Sequence, residues 1–139
     1  MYDKNTKFLV VDDFSTMRKI IKKVLGEIGY TNVIEAADGQ QGLELLKQSH
    51  AENSPINIII SDWNMPRMTG IEFLRLCRET PEFKTLPFLL VTAESEQQNI
   101  VDAAKAGVSE YVVKPFSAQR IKEKLEKVFQ KLSSDKKVG

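Results

Sequence analysis

The stretch Ile58-Ile59-Ile60-Ser61-Asp62-Trp63-Asn64-Met65-Pro66 decides how the 139-residue chain folds. An apolar, β-branched run ends abruptly in a carboxylate, and a proline stands four residues later. A short run of this kind reads as a strand buried on both faces, as in a parallel sheet covered by helices. Asp62 then stands at the carboxyl end of that strand, the edge of an open α/β sheet where ligands and chemistry collect. It is a candidate nucleophile or metal ligand, and the rest of the chain can be read against it.

Outward from this strand, apolar runs and helical stripes alternate. Phe8–Val11 is a short run ending in Asp12-Asp13, and Ser15 is a suitable cap for a helix whose stripe is Met17, Ile20, Ile21, Val24, Leu25 and Ile28, closed by Gly29. Residues 32–36 read as a second strand, and Asp38-Gly39 opens a helix reaching Gln48. The polar stretch Ser49–Pro55, with the lone His50, reads as a solvated loop before the strand Ile56–Ser61. Thr69-Gly70 introduces a third helix that ends before Pro81 and buries Ile71, Leu74 and Cys77. Phe88–Val91 is a fourth strand ending in Thr92, and a fourth helix ends near Gly107. Tyr111–Val113 is a fifth strand ending in Lys114-Pro115, and Ser117 caps a last helix with Ile121, Leu125, Val128, Phe129 and Leu132 buried. Five β–α units specify a parallel sheet with helices on both faces, joined by right-handed crossovers. The expectation is one domain over residues 1–132 and a frayed, flexible tail over 133–139.

Composition narrows the function classes. A net charge of +1, from 20 basic and 19 acidic residues, gives no long-range attraction to nucleic acid or membrane. The polar start Met1–Lys7 has no signal-peptide core, and no apolar run nears the roughly 20 residues that span a bilayer. The single cysteine, Cys77, cannot form an internal disulfide and fits a reducing compartment. A soluble, cytoplasmic protein is expected.

The residues at the ends of the strands carry the chemical information. In a parallel sheet Asp12, Asp13, Asp62, Thr92 and Lys114 converge on one edge, and only the second strand contributes no such residue. Singly, each of these is an ordinary turn, cap or surface residue. Together, three carboxylates in one cleft repel one another, and a divalent cation is the usual relief. With no convergent His or Cys, an all-oxygen site suits Mg²⁺ better than zinc. Beside it, Lys114 can neutralise a phosphoryl oxygen and the Thr92 hydroxyl can donate to another, with Asp62 as the nucleophile that forms an aspartyl-phosphate.

Four segments then match a known family: Val10–Arg18 (VVDDFSTMR), Ile60–Pro66 (ISDWNMP), Val91–Glu94 (VTAE) and Tyr111–Phe116 (YVVKPF). Over residues 6–132 the chain resembles the receiver domains of two-component response regulators, within them the single-domain chemotaxis type. The resemblance implies a flavodoxin-like doubly wound sheet in the order 2-1-3-4-5. It implies that Asp62 takes a phosphoryl group from a chemotaxis-type histidine kinase, and that Asp13, Asp62 and the backbone carbonyl of Asn64 hold Mg²⁺ with Asp12 in the outer shell. It further implies a switch pair, Thr92 and Tyr111, a cis Lys114–Pro115 bond, and a partner-binding face including Ile100, Tyr111, Lys124 and Lys127. The implied protein is a signalling phosphoacceptor rather than an enzyme, assisting its own phosphorylation and dephosphorylation. It is a monomer whose partners are the kinase, the flagellar motor switch protein and a phosphatase.

Three departures stand out: Glu96-Gln97-Gln98 in place of a lysine-rich start to the fourth helix, the longer Ser49–Pro55 loop, and the 133–139 tail. Glu94 and Asn64 flank the site as candidates for tuning the phosphoryl lifetime. A phosphorelay intermediate, passing the group on to another histidine, is the alternative role. A haloacid dehalogenase-type phosphohydrolase is disfavoured because Asn64 occupies the place of its general acid and cannot transfer a proton. A flavodoxin is disfavoured because Asp12-Asp13 would repel a flavin phosphate.

Overall fold

A computed structural model of the chain describes residues 4–93 and 97–138, with side chains given for all of these outside 97–100 and 131–138. Glu94 and Glu96 thus lie outside the described residues, as does the side chain of Ile100. The elements are β1 (Phe8–Val11), α1 (Ser15–Ile28), β2 (Val33–Ala36), α2 (Gly39–Ala51), β3 (Ile58–Asp62), α3 (Gly70–Glu79), a 3₁₀ turn (Pro81–Phe83), β4 (Phe88–Thr92), α4 (Gln97–Lys105), β5 (Glu110–Val113) and α5 (Ala118–Val138). The five strands form one parallel sheet in the order β2-β1-β3-β4-β5, the doubly wound arrangement expected.

The two-residue period of the strands divides the core. Leu9, Val11, Ile59, Phe88 and Leu90 face α2, α3 and α4, where they meet Leu46, Phe73, Leu74, Cys77 and Ala103. Phe8, Val10, Ile58, Ile60, Leu89, Val91 and Val112 face the other way, against Ile21, Leu25, Ile121, Leu125 and Val128 of α1 and α5. The central strands are therefore apolar on both faces, which is why their sequences read as unbroken runs. Cys77 is a core residue, and burial pushes its thiol up to about 12.

Local chemistry moves several expected boundaries. Ser15 is the first residue of α1 rather than its cap, because Phe14 takes that place and no side chain caps the helix. Ile20, expected on the buried stripe, is 44% exposed. Helix α2 runs past Gln48 to Ala51, since the buried Ser49 is no loop residue: its hydroxyl donates to Leu46 O at 2.9 Å and accepts from Ile56 N–H at 3.2 Å. That bond holds Ile56 outside the sheet, so β3 pairs from Ile58, two residues later than expected, and Asp62 is its last residue. The loop after α2 is tied down by Lys7, whose Nζ donates to Ser54 O at 2.8 Å. Helix α5 does not stop near Leu132 but continues to Val138, because residues 133–137 contain neither glycine nor proline.

Arg78 fastens the end of the sheet opposite the carboxylates. Its guanidinium donates to Gly107 O at 2.9 Å, Leu86 O at 2.7 Å and Phe83 O at 3.4 Å, joining α3 to the 3₁₀ turn, the entrance of β4 and the turn after α4. Hydrogen bonds from a charged donor are worth about 1.5–3 kcal/mol each, and orphaned carbonyls add a desolvation cost. Arg78→Met is expected to lower the unfolding free energy by roughly 2–4 kcal/mol. Urea denaturation should show a lower midpoint at unchanged slope, and an unmoved midpoint would contradict this role.

Candidate functional site

The carboxyl edge of the sheet carries the expected residues. Register sets their depth: Val11 pairs with Ala36 and Ser61, Asp62 with Val91, and Thr92 with Val113. Asp12 and Lys114 therefore each come directly after a strand, while Asp62 and Thr92 each end one. Asp12 has no exposed surface, and Asp62 and Thr92 are 5% and 3% exposed. Carboxylate oxygens of Asp12, Asp13 and Asp62 all lie within 4.8 Å of one another. Lys114 Nζ donates to Asp62 Oδ1 at 3.0 Å, closing the cleft from the β5 side. Lys114 N–H donates to Thr92 O at 2.7 Å, tying the last two strand ends together, and the Lys114–Pro115 bond is cis, as expected.

The backbone around Asp62 is closely specified. Trp63 N–H donates to Val91 O at 2.9 Å, and Gly70 N–H to Trp63 O at 2.8 Å. Helix α3 begins on a capping box: Thr69 Oγ1 accepts from Glu72 N–H while Glu72 Oε1 accepts from Thr69 N–H. A Cβ at Gly70 would collide with the carbonyl oxygen of Asp62 and meet Leu90 Cδ2 at 3.0 Å. Glycine there lets the helix start against the backbone of the acidic residue. Asn64 is exposed in the same loop, two residues beyond Asp62.

Asp12 is held by more than its strand. Its N–H donates to Ala36 O at 3.1 Å and its Oδ1 accepts from Phe14 N–H at 2.9 Å. Arg18 of α1 donates from Nη1 to Asp12 O at 2.6 Å and from Nε to Glu35 Oε1 at 3.2 Å. Strand β2, which offers no residue at the cleft itself, therefore acts through Glu35 and Arg18. Neither residue nor Gly70 stands out in the sequence; the only signal is the Thr69–Glu72 spacing in front of an apolar stripe.

Electrostatically the cleft is strained. Burial pushes the Asp12 carboxyl up to about 6; the Phe14 N–H bond pulls it back, the Asp62 charge adds to the rise, Lys114 opposes it, and Asp13 adds again. Asp12 Oδ2 and Asp13 Oδ1 are buried with no hydrogen-bond partner. Two orphaned anionic oxygens facing a third carboxylate are a donor set shaped for a hard cation, which all-oxygen ligands suit. The residues present fit the expected Mg²⁺.

The arrangement has relatives. A model of the response regulator receiver domain matches residues 8–126. The chain belongs to the response regulator receiver domain family. Among curated receiver relatives it is 51% identical over 127 residues to "Chemotaxis protein CheY" of Pseudomonas aeruginosa, covering 91% of this chain and 98% of that one. It is 47% identical over 130 residues to "Chemotaxis protein CheY-3" of Vibrio cholerae, covering 94% and 96%. Among solved receivers, the chemotaxis protein CheY4 of Vibrio cholerae superimposes with a TM-score of 0.77 at 33% identity, over 89% of this chain and 98% of that one. A response regulator receiver domain protein from Clostridium thermocellum gives 0.78 at 26% identity, over 92% and 97%.

The expected partner face is less open than its sequence reads. Lys127 is exposed, and Tyr111 is partly buried at the edge of the core. Lys124 is buried, with its Nζ donating to Glu110 Oε1 at 3.0 Å, so it is not a solvated lysine available for contact.

Two variants check this geometry. A carboxyl with a raised folded pKa is favoured in its protonated form, so its contribution is fully present below pH 3.8 and lost as pH rises through about 6. Ionised Asp12 then costs the metal-free protein on the order of 3 kcal/mol at neutral pH. Asp12→Asn keeps the acceptor for Phe14 N–H and is expected to be the more stable protein at pH 7.5, with the difference vanishing near pH 4; equal melting temperatures at both would contradict this. Gly70→Ala should cost roughly 2–4 kcal/mol through backbone displacement, read by urea denaturation.

Proposed function

We propose that Asp62 is the phosphoacceptor of this chain, taking its phosphoryl group from a histidine of a sensor kinase. The protein is a phospho-accepting response regulator of chemotaxis, a signalling molecule whose output is carried by a binding partner. The contact that carries this reading is Lys114 Nζ at 3.0 Å from Asp62 Oδ1, inside a buried cleft with two orphaned carboxylate oxygens. A lysine placed there can track the charge as it moves from the carboxylate onto phosphoryl oxygen.

Asp13, Asp62 and the backbone carbonyl of Asn64 would hold Mg²⁺, with Asp12 in the outer shell. When bound, the ion supplies positive charge that offsets the carboxylate repulsion and neutralises a phosphoryl oxygen. In the transfer, a carboxylate oxygen of Asp62 attacks phosphorus in line. The bond between phosphorus and the kinase histidine nitrogen breaks, and the imidazole keeps the electron pair and takes up a proton. Lys114 then pairs with a phosphoryl oxygen, and the Thr92 hydroxyl donates to another. Because Asn64 cannot act as general acid or base, the acyl phosphate is not rapidly hydrolysed by a neighbouring side chain. Slow self-catalysed gain and loss of the group is the limit of the chemistry performed.

Phosphorylation adds about −1.5 to −2 charges and three acceptor oxygens at Asp62. Thr92 moves toward them and Tyr111 turns inward, changing the face of α4, β5 and α5 that partners meet. The flagellar motor switch is the proposed target, and a dedicated phosphatase the proposed means of resetting. The chemotaxis names of the relatives support the motor-switch target. A cytoplasmic monomer completes the proposal, and among the described residues no helix is long and apolar enough to cross a membrane.

Incubation with Mg²⁺ and a small acyl phosphate should add a single base-labile phosphoryl group, seen by intact mass, with a change in Trp63 fluorescence. Asp62→Asn should abolish the uptake, and Lys114→Met should slow it by roughly 10²-fold or more. Uptake of the group by Asp62→Asn at the wild-type rate would sink the assignment.

A further inference from the structure

Glu110, Tyr111 and Lys124 meet where the last strand of the sheet packs against the last helix. Lys124 is only 5% exposed, although Glu126 and Lys127 on the same helix are open to solvent. Its Nζ lies 3.0 Å from Glu110 Oε1 and 4.8 Å from the centroid of the Tyr111 ring. A lysine is almost never buried unless something holds its charge, and here a carboxylate and an aromatic face both do. Glu110 and Tyr111 are consecutive on β5, so their side chains leave opposite faces of the strand, yet one ammonium touches both. The Lys124 stem therefore crosses the sheet edge, and its head bridges the two. A groove of about 440 Å³ is lined in part by Tyr111, with Val113, Pro115, Phe116 and Arg120. Tyr111 thus borders open space as well as the core.

We propose that the Glu110–Lys124 ion pair is a latch on Tyr111, holding its ring at the sheet edge in the unphosphorylated protein. It thereby sets how much of the protein occupies the signalling conformation. The proposal rests on Thr92 and Tyr111 being the switch pair. A contact made in only one of two ring positions biases the equilibrium by the whole of its own free energy. When the ring turns inward it leaves the ammonium, and the ammonium cannot accompany it without abandoning Glu110. Lys124 is then a positioning residue acting through Tyr111, which accounts for a lysine on the partner face that is turned away from partners.

The test labels the tyrosines (Tyr2, Tyr30 and Tyr111) with 3-fluorotyrosine and assigns Tyr111 by Tyr111→Phe. Fluorine spectra are recorded with and without Mg²⁺ and a small acyl phosphate, and intact mass is tracked in parallel. The variants are Lys124→Met and the double variant Glu110→Gln/Lys124→Met; the double leaves no buried charge behind and keeps the test open if the single variant fails to fold. In both, the Tyr111 resonance of unphosphorylated protein should move toward its phosphorylated wild-type position. The inward population should rise roughly three- to fivefold, as loss of a cation–ring contact implies. Unmoved resonances in folded variants, with wild-type Tyr111 responding normally to phosphorylation, would overturn the latch alone. A wild-type resonance that ignores phosphorylation of Asp62 would overturn the switch pair and the latch with it, and no phosphorylation at all would overturn the receiver mechanism as well.

Discussion

Three carboxylates within 4.8 Å of one another, those of Asp12 and Asp62 buried, are the constraint to which the rest of this protein answers. The sheet register puts Asp12 and Asp13 beside Asp62, and register in a sheet buried on both faces cannot slip without turning its apolar residues outward. The apolar strands thus do two jobs. They supply the core, and they hold charges where no isolated loop would keep them. Removing one charged partner from such a cluster leaves the others poorly solvated, which is why Lys114 and the orphaned oxygens belong to one problem.

The supports around the cleft arise from that constraint. Main-chain hydrogen bonds to Ala36, Val91 and Thr92 carbonyls hold the three strand ends in place. Arg18 draws in β2 by gripping the Asp12 carbonyl with one nitrogen and Glu35 with another. Gly70 lets α3 begin against Asp62 itself. At the acidic residues these devices act on backbone, and they leave Asp12 Oδ2 and Asp13 Oδ1 facing the cleft without partners. At the far end Arg78 does the reverse, using its charge to knot loops together. The molecule is hydrogen-bonded together at the Arg78 end and incompletely satisfied at the carboxylate end.

The alternation of strands and helices, the two-faced core and the residues at the strand ends were legible because they rest on local pattern, a short apolar run stopped by Asp, Thr or Lys, whereas the strand order followed only from the family resemblance. The cleft emerges from that pattern once the strands are parallel. Boundaries were less legible where a single side chain intervenes. Ser49 looks like a loop residue until its hydroxyl is seen spanning Leu46 and Ile56. Arg18, Glu35 and Gly70 could not be singled out, because their roles depend on contacts between elements far apart in sequence. Lys124 misled for the same reason. On α5 it reads as a surface lysine, and only the packing of β5 brings Glu110 to its ammonium.

Lys114 and Lys124 show how the same residue type is put to opposite uses a few residues apart. Both are paired with a carboxylate at 3.0 Å on a neighbouring element. Lys114 keeps 22% of its side chain exposed and faces a cleft that retains unsatisfied oxygens, so its partner can be exchanged for an incoming anion at little cost in desolvation. Lys124 is enclosed, with 6% exposed, and its partner is shielded too, so exchanging that partner would strand a buried charge. Solvent access, rather than distance or charge, therefore separates the lysine proposed to track a moving phosphoryl group from the one proposed to hold a ring in place. On the proposed roles, the free-energy cost of a buried charge goes to reactivity at one site and to conformational bias at the other.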